Sequence, residues 1–307
     1  MTRTALLIGC PVDSGKQRAG CLMGPDAYRV AGLQGALEDL GYTVHDRGNI
    51  ACPDLSQIDG RGPGYKRAET IGWTRALADA AQSAAAEGIP LFLGGDHSLS
   101  LGTGLGMARY AAAQNRPLFV LWLDAHSDFH TPLTSASGNL HGTPLGYLSG
   151  RAGFDGFPPM THPVPESQIA LLGLRSVDPE EKVALQSSDV AYHDMRSIDE
   201  TGIAAPLSAF LDKVRAANGV LHVSLDVDFL DPELAPAVGT TVPGGATLRE
   251  AHLVMEMLCD SGLMSALDLV ELNPFLDERG RTAQVMTDLA ASALGRRIFD
   301  RPTRAYA

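Results

Sequence analysis

The chain has 307 residues, enough for one large α/β domain or two small ones. Its 45% hydrophobic and 20% charged residues are typical of a globular protein. A formal net charge of -12 argues against a nucleic-acid partner and against an anionic membrane surface, because both select basic proteins. The sequence shows neither a signal peptide nor an apolar run long enough to span a bilayer, so we expect a cytoplasmic protein.

Short apolar runs alternate with helix-like segments along the chain. In chain order, the pattern predicts strand 5–9, helix 25–40, strand 43–46, helix 66–87, strand 90–93, helix 99–115, strand 118–123, strand 169–174, helix 206–217, strand 220–227, helix 248–259, strand 266–271 and helix 283–298. This alternation favours a mostly parallel sheet covered on both faces, with ligands bound beyond the carboxyl ends of its strands. The long segment 127–167 is rich in Gly, Pro and Ser, and we expect it to form a wall of the site.

A cluster of polar residues follows the apolar run at 118–123. Residues 124–128 (DAHSD) place Asp124, His126 and Asp128 at alternate positions, and alternate side chains of an extended segment point the same way. Burying two carboxylates and an imidazole together without a counter-charge is costly. We therefore expect a divalent cation between them.

Similar clusters follow two other predicted strands. Residues 94–98 (GGDHS) offer an imidazole, and residues 224–232 (SLDVDFLDP) offer two carboxylates at i and i+2. Oxygen and nitrogen ligands without thiolates suit Mn²⁺, with Fe²⁺, Co²⁺ or Ni²⁺ as alternatives. Six ligands suit two ions about 3.5–4 Å apart, and the four carboxylates leave such a site able to accept a cationic substrate. The predicted ligands are His97, Asp124, His126, Asp128, Asp226 and Asp228.

The three clusters resemble the signatures of the ureohydrolase family, and residues 137–142 (SGNLHG) and 173–179 (GLRSVDP) are similar to its arginase branch. The resemblance covers nearly the whole chain. It implies one three-layer α/β/α domain over residues 1–307, with a mostly parallel sheet of about eight strands. It also implies two Mn²⁺ per chain, a homo-oligomer (trimer or hexamer), and hydrolysis of L-arginine to L-ornithine and urea by attack of metal-bound hydroxide on the guanidinium carbon.

The resemblance further implies a role for individual residues. Asp124 and Asp226 are expected to bridge the two metals. The expected catalytic residues are His141 as a proton shuttle, Glu271 near the guanidinium, and the ligand Asp128. The expected substrate contacts are His130, Ser137, Asn139, Asp178, Glu181 and Thr240. Among them, Ser137 and Asn139 match contacts to the α-carboxylate and Asp178 matches a contact to the α-amino group. The chemistry agrees, because a resonance-stabilised guanidinium needs an activated water and the departing amine needs a proton donor.

One position departs from the family pattern. Arginases usually carry Asn where this chain has His130, and we expect a protonated His130 to replace that contact to the substrate carboxylate. Three alternatives stay open at this point: a ureohydrolase for agmatine, guanidinobutyrate, formiminoglutamate or N-hydroxyarginine; a single-metal enzyme resembling the zinc-dependent deacetylases; and a metal-binding regulatory protein. The sequence SGN at 137–139 favours an amino-acid substrate, and the presence of both His141 and Glu271 disfavours a non-enzyme.

Overall fold

The computed structural model describes residues 3–297, and the strands in this range form one eight-stranded sheet. In chain order the strands are β1 Thr4–Cys10, β2 Thr43–Asn49, β3 Ile89–Gly94, β4 Leu118–Leu123, β5 Ile169–Leu174, β6 Ala191–Asp194, β7 Val220–Asp226 and β8 Met264–Val270. Their order across the sheet is β2-β1-β3-β8-β7-β4-β5-β6, and every neighbouring pair is parallel. The expected mostly parallel sheet is therefore confirmed.

Helices cover both faces of the sheet. They are α1 Gly24–Val30, α2 Leu33–Glu38, α3 Arg67–Ala85, α4 Ser100–Ala113, α5 Pro144–Leu148, α6 Pro179–Gln186, α7 Met195–Thr201, α8 Ala204–Ala216, α9 Leu248–Ser261 and α10 Arg281–Ala293. Alternate side chains of β1 enter opposite cores: Leu7 packs with residues of α1, α2 and α8–α10, whereas Leu6 packs with residues of α3–α5. Parallel strands need this double cover, and the three-layer α/β/α arrangement is confirmed.

The predicted helix 25–40 is wrong as a single element. It is two short helices, α1 and α2, because Gly32 takes a left-handed conformation (φ 86°) between them. The sequence patterns also missed α5, α6, β6 and α7. The last predicted helix is found as α10, although residue 298, its expected end, lies outside the described residues. Among residues 3–297, no helix combines the length and the apolar character needed to cross a membrane.

The four middle strands of the sheet carry the polar clusters at their carboxyl ends. His97 follows β3 by three residues, Asp124 directly follows β4, Asp226 is the last residue of β7, and Glu271 directly follows β8. Because β3, β8, β7 and β4 are consecutive in the sheet, residues far apart in sequence meet at one edge. This is the edge where open α/β sheets bind ligands.

A close backbone approach at Gly95 fixes the loop that carries His97. A Cβ atom on Gly95 would lie 2.5 Å from the carbonyl oxygen of Val12 and 2.6 Å from that of Cys10. The Gly95 N–H donates to the Cys10 carbonyl at 3.2 Å, and its own carbonyl accepts the Glu271 N–H at 2.9 Å. Glycine thus lets the loops after β1, β3 and β8 come together.

We expect Gly95→Ala to destabilise the fold by about 1–3 kcal/mol, because both crowding atoms belong to the backbone and cannot swing away. Gly35→Ala is the matched control: Gly35 lies in α2, where an added Cβ atom would meet no other described segment within 4 Å, so alanine there should stabilise by about 0.5–1 kcal/mol. Urea unfolding of both variants measures the difference. Equal stability of the two variants would contradict the proposed crowding.

Candidate metal centre and active site

Three carboxylates converge on one imidazole at the first cluster. Nδ1 of His97 lies 3.0 Å from Asp124 Oδ2, 3.1 Å from Asp128 Oδ2 and 3.0 Å from Asp226 Oδ2. All four side chains are buried. Nδ1 is itself buried and has no hydrogen-bond partner among the described residues, so it points into a space enclosed by oxygen atoms.

The second cluster shares Asp124 with the first. Nδ1 of His126 lies 3.1 Å from Asp228 Oδ2 and 3.4 Å from Asp124 Oδ1. Candidate ligand atoms of His97, Asp124 and Asp226 lie within 4.8 Å of one another, as do those of Asp124, His126 and Asp228. The six predicted ligands are therefore brought together as two adjoining groups, with Asp124 facing both.

The electrostatics of these groups call for added positive charge. Burial, helped by nearby carboxylates, raises the pKa of Asp226 well above its ordinary value and that of Asp128 to about 6. Burial opposes the charge of His126, but Asp228 and Asp124 raise its pKa to about 12. The carboxylates thus resist being ionised together unless cations lie among them. An oxygen-rich set with two imidazoles and an unpartnered buried nitrogen fits two divalent ions.

Trp122 and Ser224 hold the ligands in place. The Trp122 ring stacks on His97 with centroids 4.1 Å apart, and its Nε1 donates to Asp124 Oδ2 at 3.1 Å. Nε2 of His97 lies 2.8 Å from Ser224 Oγ, which directs Nδ1 towards the carboxylates. Sequence reasoning gave neither residue a role. For Ser224 a signal existed, since it lies two residues before Asp226 on the same face of β7.

The partly exposed His141 and the buried Glu271 form a pair beside the first cluster. Nδ1 of His141 lies 3.1 Å from Glu271 Oε1, and the same oxygen accepts the backbone N–H of His97 at 2.8 Å. Glu271 and Asp128 both have left-handed backbones, with φ of 67° and 46°. Such conformations are costly for non-glycine residues and are concentrated at functional sites.

His130 lies beside the expected amino-group contacts. Its Nε2 is 3.2 Å from Asp178 Oδ2 and 3.7 Å from Glu181 Oε2, and its Nδ1 is 3.0 Å from Thr134 Oγ1. Glu181 also accepts the Phe129 N–H at 3.0 Å, which fixes its carboxylate. Both ring nitrogens of His130 therefore already have protein neighbours, a feature that the sequence did not indicate.

The remaining predicted substrate contacts line the same pocket. Ser137 Oγ accepts the Asn139 N–H at 3.2 Å, and Thr240 Oγ1 donates to Asp228 Oδ2 at 3.3 Å. Thr240 thus lines the pocket and also donates a hydrogen bond to a candidate metal ligand. All the predicted site residues line this pocket: His97, Asp124, His126, Asp128, His130, Ser137, Asn139, His141, Asp178, Glu181, Asp226, Asp228, Thr240 and Glu271.

A model of the arginase family matches residues 3–295. The chain belongs to the arginase family. It is 56% identical over 302 residues to the arginase of Brucella melitensis, covering 98% of this chain and 99% of that protein. Among solved structures of the family, the arginase of Bacillus cereus is 35% identical with a TM-score of 0.88, covering 96% of this chain and 100% of that one. The Entamoeba histolytica arginase, solved in complex with L-ornithine, is 27% identical with a TM-score of 0.85 and the same coverage.

We expect divalent ions to stabilise this family member more at about pH 7.5 than at about pH 5. Asp128 has a pKa raised to about 6, so the ion-free folded chain holds a proton that the unfolded chain has already lost. Ion-free stability should then fall as pH rises from about 4 to 6, and ions that replace the proton should reverse the loss. Unfolding temperatures with Mn²⁺ and with chelator measure this.

The control for the ion-dependent stabilisation is Asp128→Asn, which removes the titrating carboxylate but keeps the side-chain shape. The substitution should reduce the rise in unfolding temperature that Mn²⁺ causes, and it should also reduce the difference in that rise between the two pH values. An Mn²⁺-induced rise in unfolding temperature that is the same at both pH values would contradict the expectation.

Proposed function

We propose that this protein is a hydrolase that converts L-arginine and water to L-ornithine and urea. The observation that carries the proposal is the pocket in a member of the arginase family, where six metal-type side chains adjoin the His141–Glu271 pair. The relative that is 56% identical over nearly full length is an arginase, and the Entamoeba histolytica structure contains L-ornithine, the expected product.

The proposed cofactor is a pair of Mn²⁺ ions per chain, with Co²⁺, Ni²⁺ or Fe²⁺ as alternatives. Asp124 and Asp226 would bridge the ions, His97 and Asp128 would complete one site, and His126 and Asp228 the other. When bound, such ions supply the positive charge that makes water a competent nucleophile near neutral pH. The four aspartates offset that charge, so the site accepts a substrate that is permanently cationic.

Glu271, His141 and Asp128 perform the protein's part of the chemistry in this proposal. The Glu271 carboxylate attracts the substrate guanidinium and orients His141, 3.1 Å away. Burial opposes protonation of His141, but Glu271 raises its pKa above the ordinary value, so the ring can carry the proton that the departing amine needs. Asp128, which lines the pocket beside Gly142, orients the attacking water.

We propose that four side chains of the pocket bind the α-amino and α-carboxylate groups of the substrate, with a fifth, Glu181, acting through water. Asp178, whose side chain is 66% exposed, would hold the α-amino group, with Glu181 helping through water. Ser137 and Asn139 would donate to the α-carboxylate, and His130 would complete that contact by turning from Asp178. Sites built around such polar groups reject analogues that lack the matching group.

A homo-oligomer and a cytoplasmic location stay predictions. The first is what the resemblance implies, and the second is an expectation from the sequence. Sedimentation velocity of the purified protein distinguishes a trimer from a hexamer, and fractionation of expressing cells measures the location.

Urea release from L-arginine, agmatine and guanidinobutyrate by the Mn²⁺-loaded protein tests the proposed function. Agmatine lacks the α-carboxylate and would leave two or three donors unpaired, so we expect kcat/KM for arginine to be higher by about 10³-fold or more. His97→Asn should sharply reduce turnover of every substrate, since it removes a ligand. Equal hydrolysis of agmatine and arginine would replace this proposal with an agmatinase-type activity.

Substitutions of His130 test the amino-acid end separately. His130→Asn restores the usual family residue and should preserve much of the activity. His130→Ala should raise KM for arginine by about tenfold, the value of one lost hydrogen bond to a charged group, and leave agmatine nearly unchanged. Steady-state kinetics with both substrates measures the effect. A parallel loss for arginine and agmatine would mean that His130 does not act through the carboxylate.

A further inference from the structure

A buried lysine lies behind the His141–Glu271 pair. Lys16 belongs to the loop between β1 and α1, and its side chain is only 3% exposed. Its ammonium forms an ion pair with Oε2 of Glu271. Neither the sequence motifs nor the proposed chemistry includes this lysine. Burying its charge costs free energy of folding, so a role in the site would explain its presence.

The two oxygens of Glu271 serve different neighbours. Oε1 accepts the His97 N–H at 2.8 Å and lies 3.1 Å from His141 Nδ1, whereas Oε2 faces the Lys16 ammonium and the Cys21 thiol, 3.8 Å away. Glu271 and His141 line the pocket but Lys16 does not. The lysine therefore reaches the carboxylate from the side away from the substrate.

The ammonium has little freedom to leave this position. A Cβ atom on Gly239 would lie only 3.2 Å from Lys16 Nζ, so the backbone closes over the lysine. Burial opposes the charge of Lys16, but Glu271 raises its pKa above the ordinary value. Burial likewise opposes the charge of Glu271, while Lys16 and then His141 hold its pKa well below the ordinary value. The ion pair is thus favoured from both sides.

We propose that Lys16 is a positioning residue for the reaction. By binding Oε2 from behind, its ammonium keeps Oε1 directed at His141 and offsets the carboxylate charge that the substrate guanidinium meets. This proposal rests on the proposed function, which puts the guanidinium beside Glu271. The lysine acts through Glu271 and does not itself touch the substrate.

The proposal predicts opposite effects on turnover and on substrate binding. In Lys16→Met, a side chain of similar length without charge, Glu271 would lose its anchor and His141 would be held less well, so kcat should fall by about tenfold or more. The uncompensated carboxylate would attract the guanidinium more strongly, so KM for arginine should not rise. Loosening of the loop alone would instead raise KM or lower the metal content.

The experiment compares steady-state kinetics and metal content of the Mn²⁺-loaded wild type, Lys16→Met and a control, Arg18→Met. Arg18 is an exposed cation of the same loop that donates to the Gly239 carbonyl at 3.1 Å and has no contact with Glu271, so its loss should change kcat and KM by less than about twofold. Full metal content with reduced kcat and no rise in KM in Lys16→Met supports the proposal. Wild-type kcat and KM in Lys16→Met, or a raised KM, would overturn it.

A double-mutant cycle asks whether Lys16 acts through Glu271. Adding Lys16→Met to Glu271→Gln should change kcat by less than about twofold, because the carboxylate that the lysine positions is already gone. A further loss as large as in the wild-type background would overturn the proposal. The double variant buries no unpaired charge, so if Lys16→Met alone does not fold, a kcat of the double variant more than about twofold below that of Glu271→Gln would overturn the proposal. If the wild type hydrolyses another guanidino compound instead of arginine, the proposed function fails, while the same cycle run with that compound still tests Lys16.

Discussion

Mutual repulsion among buried carboxylates is the constraint on which the rest of the site depends. Asp124, Asp128 and Asp226 each place an oxygen within 3.1 Å of one imidazole nitrogen, in surroundings almost free of solvent. Burial raises the pKa of Asp226 well above its ordinary value, whereas the two imidazoles hold the pKa of Asp124 below its ordinary value against the effect of burial. Four parallel strands end at the cluster and hold it in place, and cations bound there would turn the repulsion into affinity.

The rigidity around the cluster follows from that constraint. Carboxylates that repel one another without a cation must be held in place by other contacts. Here the stacked indole of Trp122, the hydroxyl of Ser224 and two backbone N–H groups hold the candidate ligands. The left-handed backbones at Asp128 and Glu271 add conformational cost at the same place. Stability gained in the two apolar cores offsets these local costs, and this is the usual distribution of strain in an enzyme.

The sequence predicted the parts of the fold and site that depend on local periodicity. Alternate polar residues directly after apolar runs located the candidate ligands, although the expected extended geometry is wrong: Asp124, His126 and Asp128 lie in an irregular segment after β4, where Asp128 has a left-handed backbone. The edge strand β6 was missed because its four residues, AYHD, contain no apolar run. The break between α1 and α2 depends on one glycine's backbone angle, and the Lys16–Glu271 pair joins residues 255 positions apart. A local sequence pattern cannot predict contacts between residues that are distant in the chain. The contact of His130 with Asp178 was missed for the same reason.

The position of β8 has a consequence for how the protein acquires its site. Among the described strands, β8 alone joins the half-sheet β2-β1-β3 to the half-sheet β7-β4-β5-β6, and it is the last of them in the chain. His97 lies in one half and Asp124, Asp128 and Asp226 in the other, so these candidate ligands are brought together only in a sheet that contains residues 264–270. During synthesis, the candidate metal centre therefore cannot be complete before residues 264–270 have been made. Contacts between residues so far apart in sequence form slowly. Binding of metal ions would therefore mark a chain that has finished folding.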